Sequence, residues 1–189
     1  MVDRGAPLMT QLLRLEDVLS DRGAPAGSSL AHPRPAEQVR DRLTSIGVLA
    51  HPDLLTWWTW HDGAPTDQWR PQYCLISMYW PYSLTIAERR WRVLLEAYEP
   101  ESPVSAPPHC FPVAGWDNRG NLCVDTRTGE VGLDDSHCGE YEPYWPSMAA
   151  WVADVLTFYE SGAVVVAPGD IPEIVIGEWP ATVRRSMYW

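Results

Sequence analysis

Leu8, Leu12, Leu15 and Leu19 recur at intervals of four, three and four, which places one apolar stripe along a helix over about residues 8 to 20. Residues 21 to 35 are rich in Pro, Gly and Ser and read as a linker or long loop. A second helix is predicted over about 36 to 46. It has Val39, Leu43 and Ile46 on one face, and Gly47 is placed as its left-handed stop. A third runs from His51-Pro52 through Leu54, Leu55 and Trp58 to His61, with Asp62-Gly63 ending it; Trp57, Trp58 and Trp60 cannot all face one side of it. Tyr73 to Trp80 is aromatic and short enough for a buried strand that Pro81 ends. Thr85 with Glu88 forms the pattern of a capping box, opening a helix through Val93, Leu94 and Tyr98.

From Cys110 to Asp135 the period changes. CFPVAGW, NLCVD and EVGLD are short runs separated by the turn sequences DNRG and TRTG. Leu122 and Val124 share a strand face, as do Val131 and Leu133, so a meander with one buried face is predicted. A closing helix carries Met148, Val152, Val155 and Tyr159 on one face and stops at Gly162. Two apolar runs within residues 163 to 189 read as edge strands or a wrapping arm. Helices, then a meander, then a helix favour an α+β domain, an antiparallel sheet with helices on one side, over an alternating βαβ one. The expected organisation is a helix and linker over 1–35, an α+β body over 36–162 and a strand-like extension over 163–189.

Length agrees with this: 189 residues suffice for one compact domain. Charge narrows the function. Formal net charge is -11, and every basic residue is arginine, a bias that suits a GC-rich bacterial genome. Residues 117 to 178 hold 12 acids against Arg119 and Arg127, a net of 2 − 12 = -10. Nucleic acid binding, which runs on clustered cations, is disfavoured, and a basic partner is favoured. No apolar run approaches the roughly 18 residues of a membrane helix, and the opening segment lacks a secretory pattern, so no membrane association and a cytoplasmic location are expected. Cys74, Cys110, Cys123 and Cys138 are accordingly expected as packed thiols.

Three constellations could carry chemistry. His109-Cys110, Cys123 and His137-Cys138 are zinc-ligand types, but adjacent side chains on a strand point to opposite faces, so each His-Cys pair offers one ligand and no metal or cofactor is expected. Asp117, Asp125, Asp134 and Asp135 with His137 could serve a hydrolase, yet Asp117 and Asp125 flank turns, where Asp serves the turn itself, and no catalytic residue is assigned. Arg89, Arg90 and Arg92 around Trp91 read as a solvated helix face. Eleven Trp against two Phe remain: Trp58, Trp91 and Trp151 fit apolar helix faces, whereas Trp57, Trp60, Trp116, Tyr141, Tyr144 and Trp145 suit either core or interface.

In order, the amphipathic helix ending IG, the segment HPDLLTWWTWHDG, the run FPVAGWDNRGNLCVDTRTGEVG and the helix YWPSMAAWVADVLTFYESG resemble the SUKH superfamily. This group of SMI/KNR-like proteins includes bacterial immunity proteins and yeast-type cell-wall assembly regulators. The resemblance spans about residues 36 to 161. Phe111 to Ala114, Asp117 to Gly120, Leu122 to Asp125, Gly129 and Val131 match the family's strand, turn, strand and turn, and Asp62 stands where Asn is frequent.

What the resemblance implies is a non-enzymatic protein-binding domain, an immunity protein that neutralises a toxin by occluding it. A nuclease, with its positive cleft, would suit the acidic surface. A regulatory scaffold in cell-wall or envelope assembly is the alternative within that group, and a metal-dependent hydrolase the alternative of another class. The partner-facing region is expected at Asp134, Asp135, Glu140, Tyr141, Glu142, Tyr144 and Trp145, with Trp116 and Asp117 beside it, because acids speed encounter with a basic partner and aromatics anchor it.

Overall fold

The computed structural model describes residues 6–77, 79–100, 106–116, 120–135, 142–166 and 172–174. The leucine stripe forms α1 (Leu8–Asp21), with Leu8, Leu12, Leu15 and Leu19 buried and Leu13 on the exposed side. A short α2 (Ala26–Ser29) follows, then α3 (Ala36–Ser45) and α4 (Pro52–Trp60). β1 (Tyr79–Pro81) leads into α5 (Leu84–Ala97). The meander comprises β2 (Cys110–Trp116), β3 (Gly120–Asp125), β4 (Val131–Asp135) and β5 (Glu142–Trp145). α6 (Met148–Ser161) ends at Gly162 with φ 80°, and β6 (Val164–Val166) pairs antiparallel with β7 (Pro172–Ile174).

The main sheet has the order β1-β2-β3-β4-β5, antiparallel throughout. Leu122 lies opposite Leu133 and Val124 opposite Val131, so the apolar pairs stand on one face, as the alternation requires. That face meets α4 and α6 in the main core. On the opposite face Cys110 and Cys123 join Ala106 and Leu94 of α5 in a smaller cluster. The domain is therefore α+β, with its helices packed beside a five-stranded antiparallel sheet.

All of Trp57, Trp58 and Trp60 are buried even though they cannot share a side, because α4 is enclosed from several directions. Trp58 meets Phe111 of β2 edge-on at 5.9 Å and donates to the Tyr82 carbonyl at 3.1 Å. Trp57 meets Trp151 of α6 at 5.9 Å, while Trp60 donates to Glu16 of α1 at 3.1 Å. Each indole takes a different neighbour.

Residues 21–35 are more closely held than a linker. Ala31 donates to the Gly63 carbonyl at 2.8 Å and accepts from Asp62 N at 3.2 Å; Arg34 pairs with buried Asp62 at 2.7 Å. α1 packs on α4 and α6, making it part of the core rather than a preamble.

Local expectations fail at three places. Among the described residues of 73–80, only Tyr79 and Trp80 belong to a strand: a 3-10 turn occupies Pro71–Tyr73, and Tyr79 N returns to Ile76 O at 3.0 Å, closing a tight turn that uses Ser77 at φ 47°. Pro81 does not end β1 but belongs to it, tolerated because β1 is an edge strand. The α5 cap is Ser83, whose Oγ accepts from Ile86 N at 3.3 Å, rather than Thr85. β4 reaches Asp135 and β5 begins at Glu142, so strands occupy both ends of the acidic stretch expected to face a partner.

Candidate functional site

The TRTG turn after β3 is built around Asp125. Its Oδ1 accepts from Arg127 N at 2.8 Å and its carbonyl from Gly129 N at 2.8 Å, the side-chain and backbone bonds by which Asp closes a turn. Gly129 has φ 81°, and a Cβ there would stand 2.7 Å from His51 Cε1. His51 in turn caps α4, its Nδ1 accepting from Asp53 N at 3.2 Å. The turn is thus seated on the start of α4.

Arg127 folds back over this carboxylate. Nε donates to Asp125 Oδ1 at 3.3 Å, and Nη2 donates to Asp125 Oδ2 at 3.2 Å and to His109 Nε2 at 2.5 Å. Since arginine only donates, His109 Nε2 is the acceptor and the ring is neutral. Burial lowers the His109 pKa; the nearby guanidinium lowers it further, against the opposing pull of Asp125. Burial alone would raise Asp125, but the hydrogen bonds from the Arg127 side chain and amide outweigh it and hold the carboxyl below its ordinary range.

His109 lies in the turn just before β2, with its carbonyl accepting from Thr126 N at 2.9 Å. The strand alternation expected to separate His109 from Cys110 does not apply there. His109 Nε2 is 3.3 Å from Asp125 Oδ2, and with buried Cys110 the three potential ligand atoms lie within 4.8 Å of one another. None of Cys74, Cys110 and Cys123 forms a disulfide, and burial pushes the Cys123 thiol well up. His137 and Cys138 lie outside the described residues.

Beside this cluster opens a cleft of about 400 Å³, between the α3–α4 turn, α5 and the starts of the TRTG turn and β2. Val48 and Leu49 form one wall, Trp91 and Pro108 another, and His109 with Arg127 the polar edge. Leu49 is 61% exposed. Trp91 is fixed by donating to the Pro108 carbonyl at 3.0 Å and by a tilted ring contact with Phe111 at 5.8 Å. The signal for this site was partial: Asp125 and His109 were visible, but Arg127 and Leu49, on separate turns, were not.

The residues expected to face a partner lie toward the other end of the sheet. Trp116 pairs with Gly120 and Gly120 with Asp135, while Glu142 sits opposite Leu133, all away from Cys110 and Asp125. Asp134 is half-buried and accepts from Asn121 at 2.9 Å, which itself accepts from the Tyr82 hydroxyl at 3.0 Å. Trp145 corrects the expectation of an exposed aromatic anchor: it is buried, with Nε1 donating to Asp154 at 3.0 Å, because β5 turns it into the core beneath α6. Tyr144 is half-buried, 5.8 Å from Trp145. Asp117, Glu140 and Tyr141 lie outside the described residues.

Two of the three α5 arginines are paired with acids. Arg92 and Arg42 both bind buried Glu88, Arg89 binds Asp67 at 2.5 Å, and Arg90 lies 6.0 Å from the Tyr82 ring centroid. Among the described residues, no helix is long and apolar enough to cross a membrane. No protein-family model and no curated protein matches the chain.

Proposed function

We propose that this chain is a non-enzymatic protein-binding domain that neutralises a basic toxin domain by occluding it, as the resemblance to SUKH immunity proteins implies. The observation that carries the binding reading is the internal use of its acids. Asp125 is held by Arg127, Asp134 by Asn121, Asp154 by Trp145 and Glu88 by two arginines. Of the carboxylates on which a hydrolase would draw, Asp125 and Asp134 serve the fold, and Asp117 lies outside the described residues. Recognition is left to the surface, whose acidity accelerates approach of a cationic partner and whose apolar spots, Leu49 among them, slow its departure.

Occlusion requires a rigid surface and no chemistry. The test is capture of partners from native cells with washes at low and high salt, followed by expression of the captured protein with and without this chain. One dominant basic protein, toxic alone and harmless when co-expressed, is the expected result. Several envelope proteins, none of them toxic, would favour the scaffold, and no retained protein would refute the binding reading.

A further inference from the structure

We propose that His109, Cys110 and Asp125 form a binding site for a borderline-soft divalent cation, zinc by preference, which the ion enters by displacing the Arg127 guanidinium. The donor set is one imidazole nitrogen, one thiolate sulfur and one carboxylate oxygen, a mixture that suits zinc better than the hard cations magnesium or calcium. Tetrahedral zinc holds its donors about 3.3–3.8 Å apart, the spacing that follows from bonds of about 2.0–2.3 Å. Here the donors lie within 4.8 Å of one another and His109 Nε2 is 3.3 Å from Asp125 Oδ2, so a small contraction closes the set.

A positive group already sits at these donors. Arg127 Nη2 lies 2.5 Å from His109 Nε2 and 3.2 Å from Asp125 Oδ2, bridging two of the atoms an ion would bridge. The Arg127 side chain is 56% exposed, so it can swing into solvent without disturbing the core. His109 and Arg127 both border the cleft beside Leu49 and Trp91, which gives an ion a route from solvent.

The protonation states are favourable. His109 already presents an unprotonated Nε2, and Asp125 is ionised, with its Oδ1 oriented by the Arg127 amide. The Cys110 sulfur binds as the thiolate. The β2–β3 register fixes the two inner ligands opposite one another, Cys110 to Asp125. A bound ion would clamp the two ends of this strand pair together and free Arg127 to stand at the rim of the cleft.

The experiment is titration of the full chain, stripped of metal, with Co²⁺ as a spectroscopic substitute for Zn²⁺. One equivalent should bring a near-ultraviolet thiolate-to-cobalt band and the intense visible bands of a tetrahedral site, both erased by Zn²⁺. Cys110→Ser should lose the thiolate band, and His109→Gln, at a half-exposed position, should weaken binding at least tenfold while keeping the wild-type circular dichroism. Arg127→Ala should tighten it, by roughly tenfold, because the competing cation is gone. Absence of cobalt binding, binding without a thiolate band, or a band that persists in Cys110→Ser would overturn the proposal. Undiminished affinity in folded His109→Gln would do so too. If Cys110→Ser fails to fold, the wild-type band together with the His109→Gln and Arg127→Ala affinities decides.

Discussion

The Tyr159 hydroxyl of α6 donates to the Leu75 carbonyl at 2.6 Å, joining positions 84 residues apart inside the core. Burial pushes the phenol pKa far above its ordinary value, with Arg22 opposing, so the group remains a donor throughout the accessible pH range. Tyr159→Phe keeps the ring and orphans a buried carbonyl. The expected loss is about 1–3 kcal/mol, read as a lower denaturant midpoint at unchanged slope. An unchanged midpoint would mean that water replaces the hydroxyl.

Gly129 combines a left-handed backbone with contact against the His51 ring. Gly129→Ala should therefore cost roughly 1–3 kcal/mol. The penalty should shrink in a His51→Ala background, where only the backbone strain remains. Equal penalties in both backgrounds would show that the ring gives way freely.

Core membership of α1 predicts that Leu15→Ala costs about 2–5 kcal/mol, the range for removing a fully enclosed leucine. Chemical denaturation measures it. A cost under about 0.5 kcal/mol, typical of surface positions, would return α1 to the status of an appendage.

Burial pushes the Cys74 thiol up to about 12 from 9.0, with the nearby Trp69 indole acting in the opposite direction. The native thiol thus stays protonated where the unfolded one ionises. Its contribution to stability is complete below about pH 9 and is lost as pH rises toward about 12, at up to about 1.4 kcal/mol per pH unit. Denaturation of wild type and Cys74→Ala at successive pH values should show the wild type losing stability more steeply above pH 9. Parallel curves would place the thiol in contact with water.

Much of the fold was legible because its signals are local. The leucine spacing of α1, Gly47 and Gly162 as left-handed stops and the alternation of Leu122, Val124, Val131 and Leu133 each need only a few neighbouring residues, and each element formed where it was expected. The failures depend on distant parts of the chain. Ser83 rather than Thr85 caps α5, beside Asp62, whose Oδ1 accepts from Leu84 N at 3.0 Å. Trp145 is drawn inward by Asp154, a carboxylate on the following helix that no periodicity marks as its partner. At the site, Asp125 could be recognised as a turn residue. The meeting of His109, Cys110 and Arg127 around it required the register of β2 on β3 and the knowledge that His109 precedes the strand.

The packing of α1 on α6 brings residues 8–21 against residues 148–161. During synthesis the first leucine stripe emerges long before its principal partner, and it must wait through the making of the entire sheet. Until α6 leaves the ribosome, that stripe has only α4 and α2 to cover part of it on the nascent chain, leaving apolar surface of the kind that chaperones hold. Among the described helices, this contact joins the first in chain order to the last.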